Sequence, residues 1–263
     1  MPKLFSSATA TTWQNSSQSV RQFDRFSLSV VIPAYNEELL LAEAVNNIAD
    51  VVQSAVADYE IVIVNDGSVD STLKIARSLA ASQPHVIVVD LPQNLGFGGA
   101  VKAGLLQAKK DVVTYFPVDY PITPMDLDIY LHLSMYYDIV IGYRRQRRLE
   151  MQWKSRMVSV MFHVILNLLF NLNFYDVNWI HAYKRKDIHD YLADSNGVFF
   201  AAETLIRATA SGYRICGVDV PFVDRTKGVA SGAKLSTIIR TGIDVWKFFW
   251  TFRCHDRLLR NRR

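Results

Sequence analysis

The sequence contains few cysteines: Cys216 and Cys254 are the only two among its 263 residues. They lie far apart, and neither belongs to a CxxC pair or to a Cys/His pattern with the spacing of metal ligands. A disulfide framework and a zinc site are therefore not indicated. The shortage of cysteine fits a protein of a reducing compartment.

Long apolar segments are also scarce. The nearest candidate for a membrane span, Met157–Phe174, is interrupted by one histidine and three asparagines, which indicates a buried or interfacial helix instead. Of these two interpretations, a core helix is favoured. Residues 1–26 are rich in Ser and Thr and lack the continuous apolar segment of a secretory signal. We therefore expect a mobile N-terminal tail and a chain that stays on the cytoplasmic side.

The net charge is only +4, but the arginines are unevenly placed. One cluster lies at Arg144–Arg148, and a second extends from Arg253 to the C-terminus. Such clusters attract the phosphates of a small ligand, a nucleic acid or an anionic membrane. A solvated arginine face is the alternative interpretation of each cluster. Nucleic-acid binding is disfavoured because no recognised nucleic-acid motif accompanies them.

The order of apolar segments indicates an α/β fold. Half of the residues are apolar, and continuous apolar strands alternate with helical patterns, which is typical of a mainly parallel sheet flanked by helices. We expect a single domain over residues 27–235, followed by an amphipathic helix and basic tail over residues 236–263. The predicted strands are Leu28–Tyr35, Tyr59–Asp66, His85–Leu91, Asp111–Phe116, Tyr137–Arg144, Trp179–Lys184 and Arg214–Val223. The predicted helices are Glu38–Val52, Ser71–Ser82, Gly98–Ala108, Met125–Leu133, Ser155–Asn171, Phe200–Ser211 and Leu235–Phe252.

Three acid- and turn-rich loops follow the first, second and fourth predicted strands. They read PAYNEE (Pro33–Glu38), NDGSVDST (Asn65–Thr72) and PVDYP (Pro117–Pro121). Ligands of open α/β sheets bind where the carboxyl ends of strands meet, so these loops form the candidate site. Each of the first two loops also has a purely structural interpretation, in which an Asn, Asp or Ser caps the next helix.

A glycine-rich segment, NLGFGGAVKAGL (Asn94–Leu105), follows the third strand. Its spacing is neither that of a P-loop nor that of a G-x-G-x-x-G turn after the first strand. We expect a glycine-lined wall that lets the backbone come close to a neighbouring ligand.

Taken together, VVIPAYNE, IVIVNDGSVDST, NLGFGGAVKAGL and VTYFPVDYPITP resemble the family 2 inverting glycosyltransferases of the GT-A fold. The resemblance is strongest from about Ser29 to Asp126. Up to about Leu235 the segments DVNWIHAYKR, FFAAETLIRATASGYRICGVDVPFVDR and KGVASGAKLS are similar to the polyprenol-phosphate sugar transferases, the group that includes dolichol-phosphate mannose synthases. The resemblance implies an enzyme that moves a sugar from a UDP- or GDP-linked donor to a polyprenyl (dolichyl or undecaprenyl) phosphate at the cytoplasmic membrane face.

The resemblance also implies roles for individual residues. Asp119 matches the second acid of the family's D-x-D motif, which holds Mg²⁺ or Mn²⁺ on the donor diphosphate, and Glu203 falls near the acidic position beside the acceptor. These two are the implied catalytic residues. The implied nucleotide-binding residues are Pro33, Tyr35, Glu37, Asp66 and Gly98. The implied phosphate- or acceptor-binding residues are Arg144, Arg156, Arg225 and Lys234.

Two departures from the family pattern leave alternatives open. Pro117 replaces the first acid of D-x-D, so metal affinity is expected to be weakened or lost. The segment NWIH (Asn178–His181) replaces a small Ser-Gly turn, so we expect a reshaped pocket. A soluble or polysaccharide acceptor, or a non-catalytic subunit that binds nucleotide sugars, therefore stays possible.

The segment IIRTGIDVWKFFWTFRCHDRLLRNRR (Ile238–Arg263) pairs an aromatic, apolar helix with a basic tail. This composition suits a helix that lies on an anionic membrane surface, and we expect peripheral membrane association. An ordinary packing helix with a solvated tail is the alternative.

Overall fold

A computed structural model describes residues 26–144, 153–170, 172, 174, 176–220 and 235–260. At 153–156, 235–236 and 253–260 it describes the backbone alone. The predicted N-terminal tail and two of the predicted phosphate-binding residues, Arg225 and Lys234, lie outside the described residues. So does the last part of the seventh predicted strand.

Seven strands of the described residues form one sheet in the order β3-β2-β1-β4-β6-β5-β7. β6 runs antiparallel to both of its neighbours, and all the other pairs are parallel. The strands are β1 (Ser27–Ala34), β2 (Asp58–Asn65), β3 (Val86–Asp90), β4 (Val112–Tyr115), β5 (Ile139–Tyr143), β6 (His181–Lys184) and β7 (Ile215–Asp219). The predicted mainly parallel α/β sheet is therefore confirmed.

Helices cover both faces of this sheet. They are α1 (Leu41–Ala55), α2 (Thr72–Ser82), α3 (Phe97–Gln107), α4 (Pro124–Ser134), α5 (Trp153–Phe170), α6 (Ile188–Tyr191), α7 (Phe200–Ala210) and α8 (Leu235–Arg260). A short 3₁₀ helix, Arg185–Asp187, precedes α6. α8 continues beyond the predicted end at Phe252, and α1 begins three residues later than predicted because the preceding residues bind to another loop.

The core has two parts, one on each face of the sheet. Because successive strand residues point to opposite faces, Val31 of β1 joins the cluster under α3, α5, α7 and α8. Its neighbours Val30 and Ile32 join the cluster under α1, α2 and α4. The sheet is therefore buried on both sides, as its continuous apolar strands predict.

The register places the carboxyl ends of three strands at one level. Ala34 of β1 pairs with Asn65 of β2, and Asn65 pairs with Asp90 of β3. α3 packs closely on the middle of β1, since a Cβ on Gly104 would come within 2.2 Å of a Val31 methyl group. The loops that follow the strands meet at one edge, and the Gly96 amide just before α3 binds Asp66 there.

Candidate functional site

The loops after β1 and β2 are joined by hydrogen bonds in both directions. The Asn36 amide nitrogen donates to Ser68 Oγ at 3.0 Å, and the Val69 amide donates to Asn36 Oδ1 at 3.0 Å. The Glu37 amide donates to Thr72 Oγ1 at 2.8 Å. These bonds hold the two loops as one unit, with the side chain of Tyr35 exposed beside them.

Asp70 ties the same two loops together at a second point. Its carboxylate accepts from the amides of Glu38 at 3.3 Å and Thr72 at 2.9 Å, while Glu38 Oε2 accepts from the Ser71 amide at 2.9 Å. Burial opposes ionisation of Asp70, but these hydrogen bonds outweigh it and lower the pKa of the carboxyl group. Asp70 therefore binds the first amide of α2, whereas the N-cap residue is Ser71, whose side chain makes no capping hydrogen bond.

Asn36 has a different role from the one that the purely structural interpretation gives it. Its φ is 56°, in the left-handed region that non-glycine residues seldom adopt, and α1 begins only at Leu41. The idea that Asn36 caps α1 is therefore wrong. The residue lies in the bend after β1 and binds the second loop.

Asp66 joins the segment between β3 and α3 to the loops after β1 and β2. It is almost fully buried, and its two carboxylate oxygens accept from the amides of Leu95 at 2.7 Å and Gly96 at 2.9 Å. Burial raises the pKa of Asp66, and the two backbone hydrogen bonds partly oppose this rise. Next to it Gly67 has φ 66°, and a Cβ there would lie 2.6 Å from the Asn94 amide nitrogen. A bound nucleoside would share Asp66 with these two amides.

The glycines at the start of α3 let another backbone segment approach. A Cβ on Gly98 would lie 2.6 Å from the Gly197 carbonyl oxygen, and the Gly99 amide donates to the Asn196 carbonyl at 3.0 Å. The close neighbour of this wall is thus the loop at residues 194–199. Sequence reasoning did not connect the two segments, because nothing in the spacing relates them.

Glu203, in the first turn of α7, binds the same loop at residues 194–199. It is 2% exposed, and its carboxylate accepts from the amides of Asp194 at 3.0 Å and Ser195 at 3.1 Å. The guanidinium of Arg207 also donates to it, at 2.9 Å from Nε. In this arrangement Glu203 positions the loop that lies against the glycine wall.

Asp119 lies on a tight turn after β4. The Tyr120 amide donates to the Pro117 carbonyl at 3.1 Å, and the buried Tyr120 ring stacks on Phe116 and meets Trp179 edge-on. The turn is therefore held by the core while Asp119 stays partly exposed.

A metal ion at this turn would have few protein ligands. Among the described residues no group of three His, Cys, Asp or Glu side chains converges as a metal site. Mg²⁺ is commonly held by one or two carboxylates together with substrate phosphates and water. Asp119 fits a metal that a donor diphosphate brings with it.

Arg144 forms a buried cluster next to the turn. Its Nε donates to Asp176 at 3.0 Å, and its guanidinium lies 4.0 Å from the centre of the Trp179 ring. A phosphate at Arg144 would share the cation with Asp176. The side chain of Arg156, which lies in the first turn of α5, is outside the described residues.

A buried histidine in β6 was missed by sequence reasoning. His181 lies 2.7 Å from the Tyr183 hydroxyl through Nδ1, and burial lowers its pKa to about 4 although the charge of Asp176 partly opposes this. The hydroxyl of Tyr115 donates to the Trp179 carbonyl nearby. The only sign of it in the sequence is a histidine within an apolar strand, at the end of the segment NWIH.

The chain has the architecture of the open α/β class, in which ligands bind where the loops meet at the carboxyl edge of the sheet. Residues 29–192, more than half of the chain, match the model of "Glycosyl transferase family 2". The chain therefore belongs to this family, and the predicted resemblance is confirmed.

The solved structures similar to this chain have the predicted GT-A fold. One is glucosyl-3-phosphoglycerate synthase from Mycobacterium tuberculosis, solved with Mn²⁺, UDP-glucose and phosphoglyceric acid. It aligns with a TM-score of 0.65 and 19% identity, covering 87% of this chain and 84% of that one. At this identity the likeness establishes the fold.

Curated relatives differ in how much of their length this chain spans. An uncharacterized glycosyltransferase of Mycobacterium tuberculosis is 28% identical over 84% of this chain and 97% of its own length. An undecaprenyl-phosphate 4-deoxy-4-formamido-L-arabinose transferase of Pseudomonas fluorescens is 31% identical over 51% of this chain and 40% of its own. A dolichyl-phosphate beta-glucosyltransferase of Trichomonas vaginalis is 30% identical, over 54% of this chain and 47% of its own. The chain thus spans less than half of these two lipid-phosphate relatives.

None of the helices in the described part of the chain combines the length and the apolarity needed to cross a membrane.

Proposed function

We propose that the protein transfers a sugar, with inversion, from a nucleotide-sugar donor to a polyprenyl phosphate at the cytoplasmic face of a membrane. The observation that carries the proposal is that three loops follow the carboxyl ends of the adjacent parallel strands β1, β2 and β4, in a chain of glycosyl transferase family 2. The loops after β1 and β2 form one hydrogen-bonded unit, and the turn after β4 presents a carboxylate at the same edge.

The first two loops supply the nucleoside side of the proposed site. Pro33, Tyr35 and Glu37 lie at or just after the end of β1, and the exposed Tyr35 ring is available to a base. Asp66 and Gly98 complete the proposed set. The Asp66 carboxylate would bind the nucleoside as well as the Leu95 amide, and Gly98 lies on the glycine-rich wall at the start of α3.

Transfer from such a donor develops negative charge on the departing diphosphate, which must be taken up by cations. The structural neighbour was solved with Mn²⁺ together with UDP-glucose, and we propose that Asp119 binds Mg²⁺ or Mn²⁺ together with the donor. When bound, the metal would neutralise charge on the diphosphate. Arg144, Arg156, Arg225 and Lys234 are the proposed further cations.

The acceptor side favours a group that is already anionic. A hydroxyl acceptor needs a carboxylate base, whereas the carboxylate of Glu203 is occupied by the loop amides and Arg207. A phosphate acceptor needs orientation rather than deprotonation. The names of two relatives specify polyprenyl phosphates, which supports a lipid phosphate here.

A soluble phosphorylated acceptor is the second candidate. It is favoured by the structural neighbour, which was solved with phosphoglyceric acid. A subunit that binds nucleotide sugars without turnover is the third candidate, and Pro117 in the place of the first D-x-D acid favours it.

The test begins with thermal shifts of the full chain in a panel of UDP- and GDP-sugars, with and without Mn²⁺. The stabilising donor is then supplied radiolabelled, with polyprenyl phosphate in detergent, and the organic phase is counted. Label in the organic phase is expected, and Asp119→Ala should abolish it. The matched control is Glu43→Ala, which removes an exposed carboxylate from α1. Label only in water-soluble product would favour the second candidate, and donor binding without turnover the third.

A further inference from the structure

One face of α5 is apolar and exposed, contrary to the expectation of a core helix. Its stripe of Met157, Met161, Val164 and Leu168 follows the i, i+4, i+7, i+11 spacing of a single helix face. Leu168 is 80% exposed. The opposite face, with Leu166 at its centre, packs into the core. The helix is thus apolar on two sides, only one of which has a partner among the described residues.

α8 repeats this arrangement. Ile239, Ile243, Trp246 and Trp250 form a second exposed stripe with the same spacing. The other face of the helix is buried, with Phe248 against the core. Single exposed apolar residues are normal on a protein surface, but a run of four along each of two helices indicates a surface that binds something.

Aromatic rings connect the two helices. Phe170 at the end of α5 contacts Phe248, Phe249 and Phe252 of α8, with ring centres 5.6–6.1 Å apart. Phe249 in turn touches the exposed Trp246 and Trp250. The exposed tryptophans therefore adjoin the end of α5.

The same helix also contacts the loop that Glu203 holds. The ring of Phe248 packs on Phe199 at 5.6 Å and lies under the guanidinium of Arg207. The two stripes, which we call the apolar platform, are thus joined through the core to the proposed acceptor side.

The charged residues of α5 and α8 indicate which kind of partner the apolar platform fits. α5 contains Lys154 and Arg156 and has no acidic residue, and α8 has five basic residues against two acidic ones. Arg240 and Lys247 are exposed and flank the α8 stripe. Exposed cations beside a stripe of Trp and Ile complement an anionic bilayer, where Trp favours the interface and cations favour the headgroups.

We propose that the apolar platform of α5 and α8 docks the protein on an anionic lipid bilayer. The inference rests on the proposed function, which requires the chain to reach a lipid acceptor, and it adds the surface that makes the contact. Bilayer contact through α8 would bring the Glu203 loop close to the membrane.

Vesicle flotation of the full chain tests the surface. The vesicles are phosphatidylcholine alone, or phosphatidylcholine with phosphatidylglycerol, and contain no polyprenyl phosphate. The wild-type chain is expected to float with the anionic vesicles and to be released as the salt concentration rises. The double variant Leu168→Gln/Trp250→Gln should lower the partition coefficient by about tenfold or more.

The matched control is Leu39→Gln, because Leu39 is 88% exposed and lies just before α1, which covers the opposite face of the sheet from α5 and α8. It should bind vesicles like the wild type. Failure of the wild type to float, or equal loss in the control and the platform variant, would overturn the proposal. So would a wild-type dimer, seen by sedimentation, that the platform variant converts to a monomer, because a second copy would then cover the surface.

This experiment can fail independently of the transferase assay. Vesicle binding without transfer to polyprenyl phosphate would support the docking surface and contradict the proposed acceptor. Transfer in detergent without vesicle binding would support the proposed acceptor and contradict the docking surface.

Discussion

The metal site proposed on the turn after β4 depends on Asp119 and on its neighbour Pro117. Pro117 is partly exposed and contributes its carbonyl to the hydrogen bond from Tyr120, which any residue could supply. We expect Pro117→Asp to add a second carboxylate without disrupting the turn. In the presence of the nucleoside diphosphate, this variant should require about tenfold less Mn²⁺ for half-maximal thermal stabilisation.

Asp119→Ala should have the opposite effect and abolish the dependence of this stabilisation on Mn²⁺. Glu43→Ala is the control, and its Mn²⁺ titration should match that of the wild type. Retention of the wild-type Mn²⁺ dependence in Asp119→Ala would show that the metal is bound elsewhere or by the diphosphate alone.

His181 should make folding stability depend on pH. Its pKa is about 4 in the folded protein and about 6.5 in an unfolded chain. Between about pH 6.5 and pH 4 the imidazole is protonated in the unfolded chain but neutral in the folded protein. The free energy of unfolding therefore decreases as the pH falls through this window. The loss approaches about 1.4 kcal/mol per pH unit within that window.

Urea unfolding at several pH values measures this contribution. The difference in pH slope between the wild type and His181→Gln isolates the histidine from the carboxylates, which titrate in both proteins. His189→Gln, at an exposed position, is the control for replacing a histidine by glutamine. Equal slopes for His181→Gln and the wild type would contradict the assignment.

At the scale of elements, the joined loops after β1 and β2 depend on Asn36 in two ways. Its backbone is left-handed, and its side chain accepts from Val69. Asn36→Gly removes the hydrogen bond but permits the backbone, whereas Asn36→Ala removes the bond and adds strain. We expect Asn36→Ala to lower the free energy of unfolding by about 1–2 kcal/mol more than Asn36→Gly.

Both Asn36 variants should weaken donor stabilisation in the thermal-shift assay, because the loop that carries Tyr35 loses its bond to the second loop. Equal stability of the two variants would show that the backbone conformation carries no strain.

Glu203 and Arg207 act on the loop at residues 194–199 as a pair. If Glu203 works by holding this loop, Glu203→Gln and Arg207→Met should lower turnover by similar factors. The double variant should then cost little more than either single change. Steady-state rates and urea unfolding of all four proteins provide the measurement. A far larger loss of turnover in Glu203→Gln, at matched stability, would instead identify a base for a hydroxyl acceptor.

Sequence patterns predicted elements better than they predicted contacts. Continuous apolar strands and helical spacing were sufficient to predict β1 to β5 with small errors at their ends. α5 was misjudged as a core helix because its composition is apolar all round, and composition does not say which face finds a partner. The bonds of Asp66 and Glu203 to distant amides could not be foreseen, because they depend on how loops far apart in sequence are brought together.

At the scale of the whole molecule, strand order was also beyond sequence reasoning. β6 inserts antiparallel between β4 and β5, although it follows β5 in the chain. Its pairing depends on the residues between Arg144 and His181 returning to the sheet, and periodicity does not encode that path. The class of fold could be predicted because burial on both strand faces needs only local sequence, whereas the neighbours of each strand are a property of the tertiary structure.

This strand order has a consequence for unfolding. The amino-terminal strands β1 to β4 and the later strands β5 to β7 share one continuous sheet, joined where β6 pairs with β4. The fully buried Ile63 and Ile141 lie on opposite sides of that junction. Ile63→Val and Ile141→Val should each cost about 0.5–1.5 kcal/mol. Because the sheet is shared, both should lower the midpoint of a single calorimetric transition, by roughly 2–4 °C per kcal/mol. Two separate transitions, each moved by only one of the substitutions, would instead divide the predicted domain at the junction of β4 and β6.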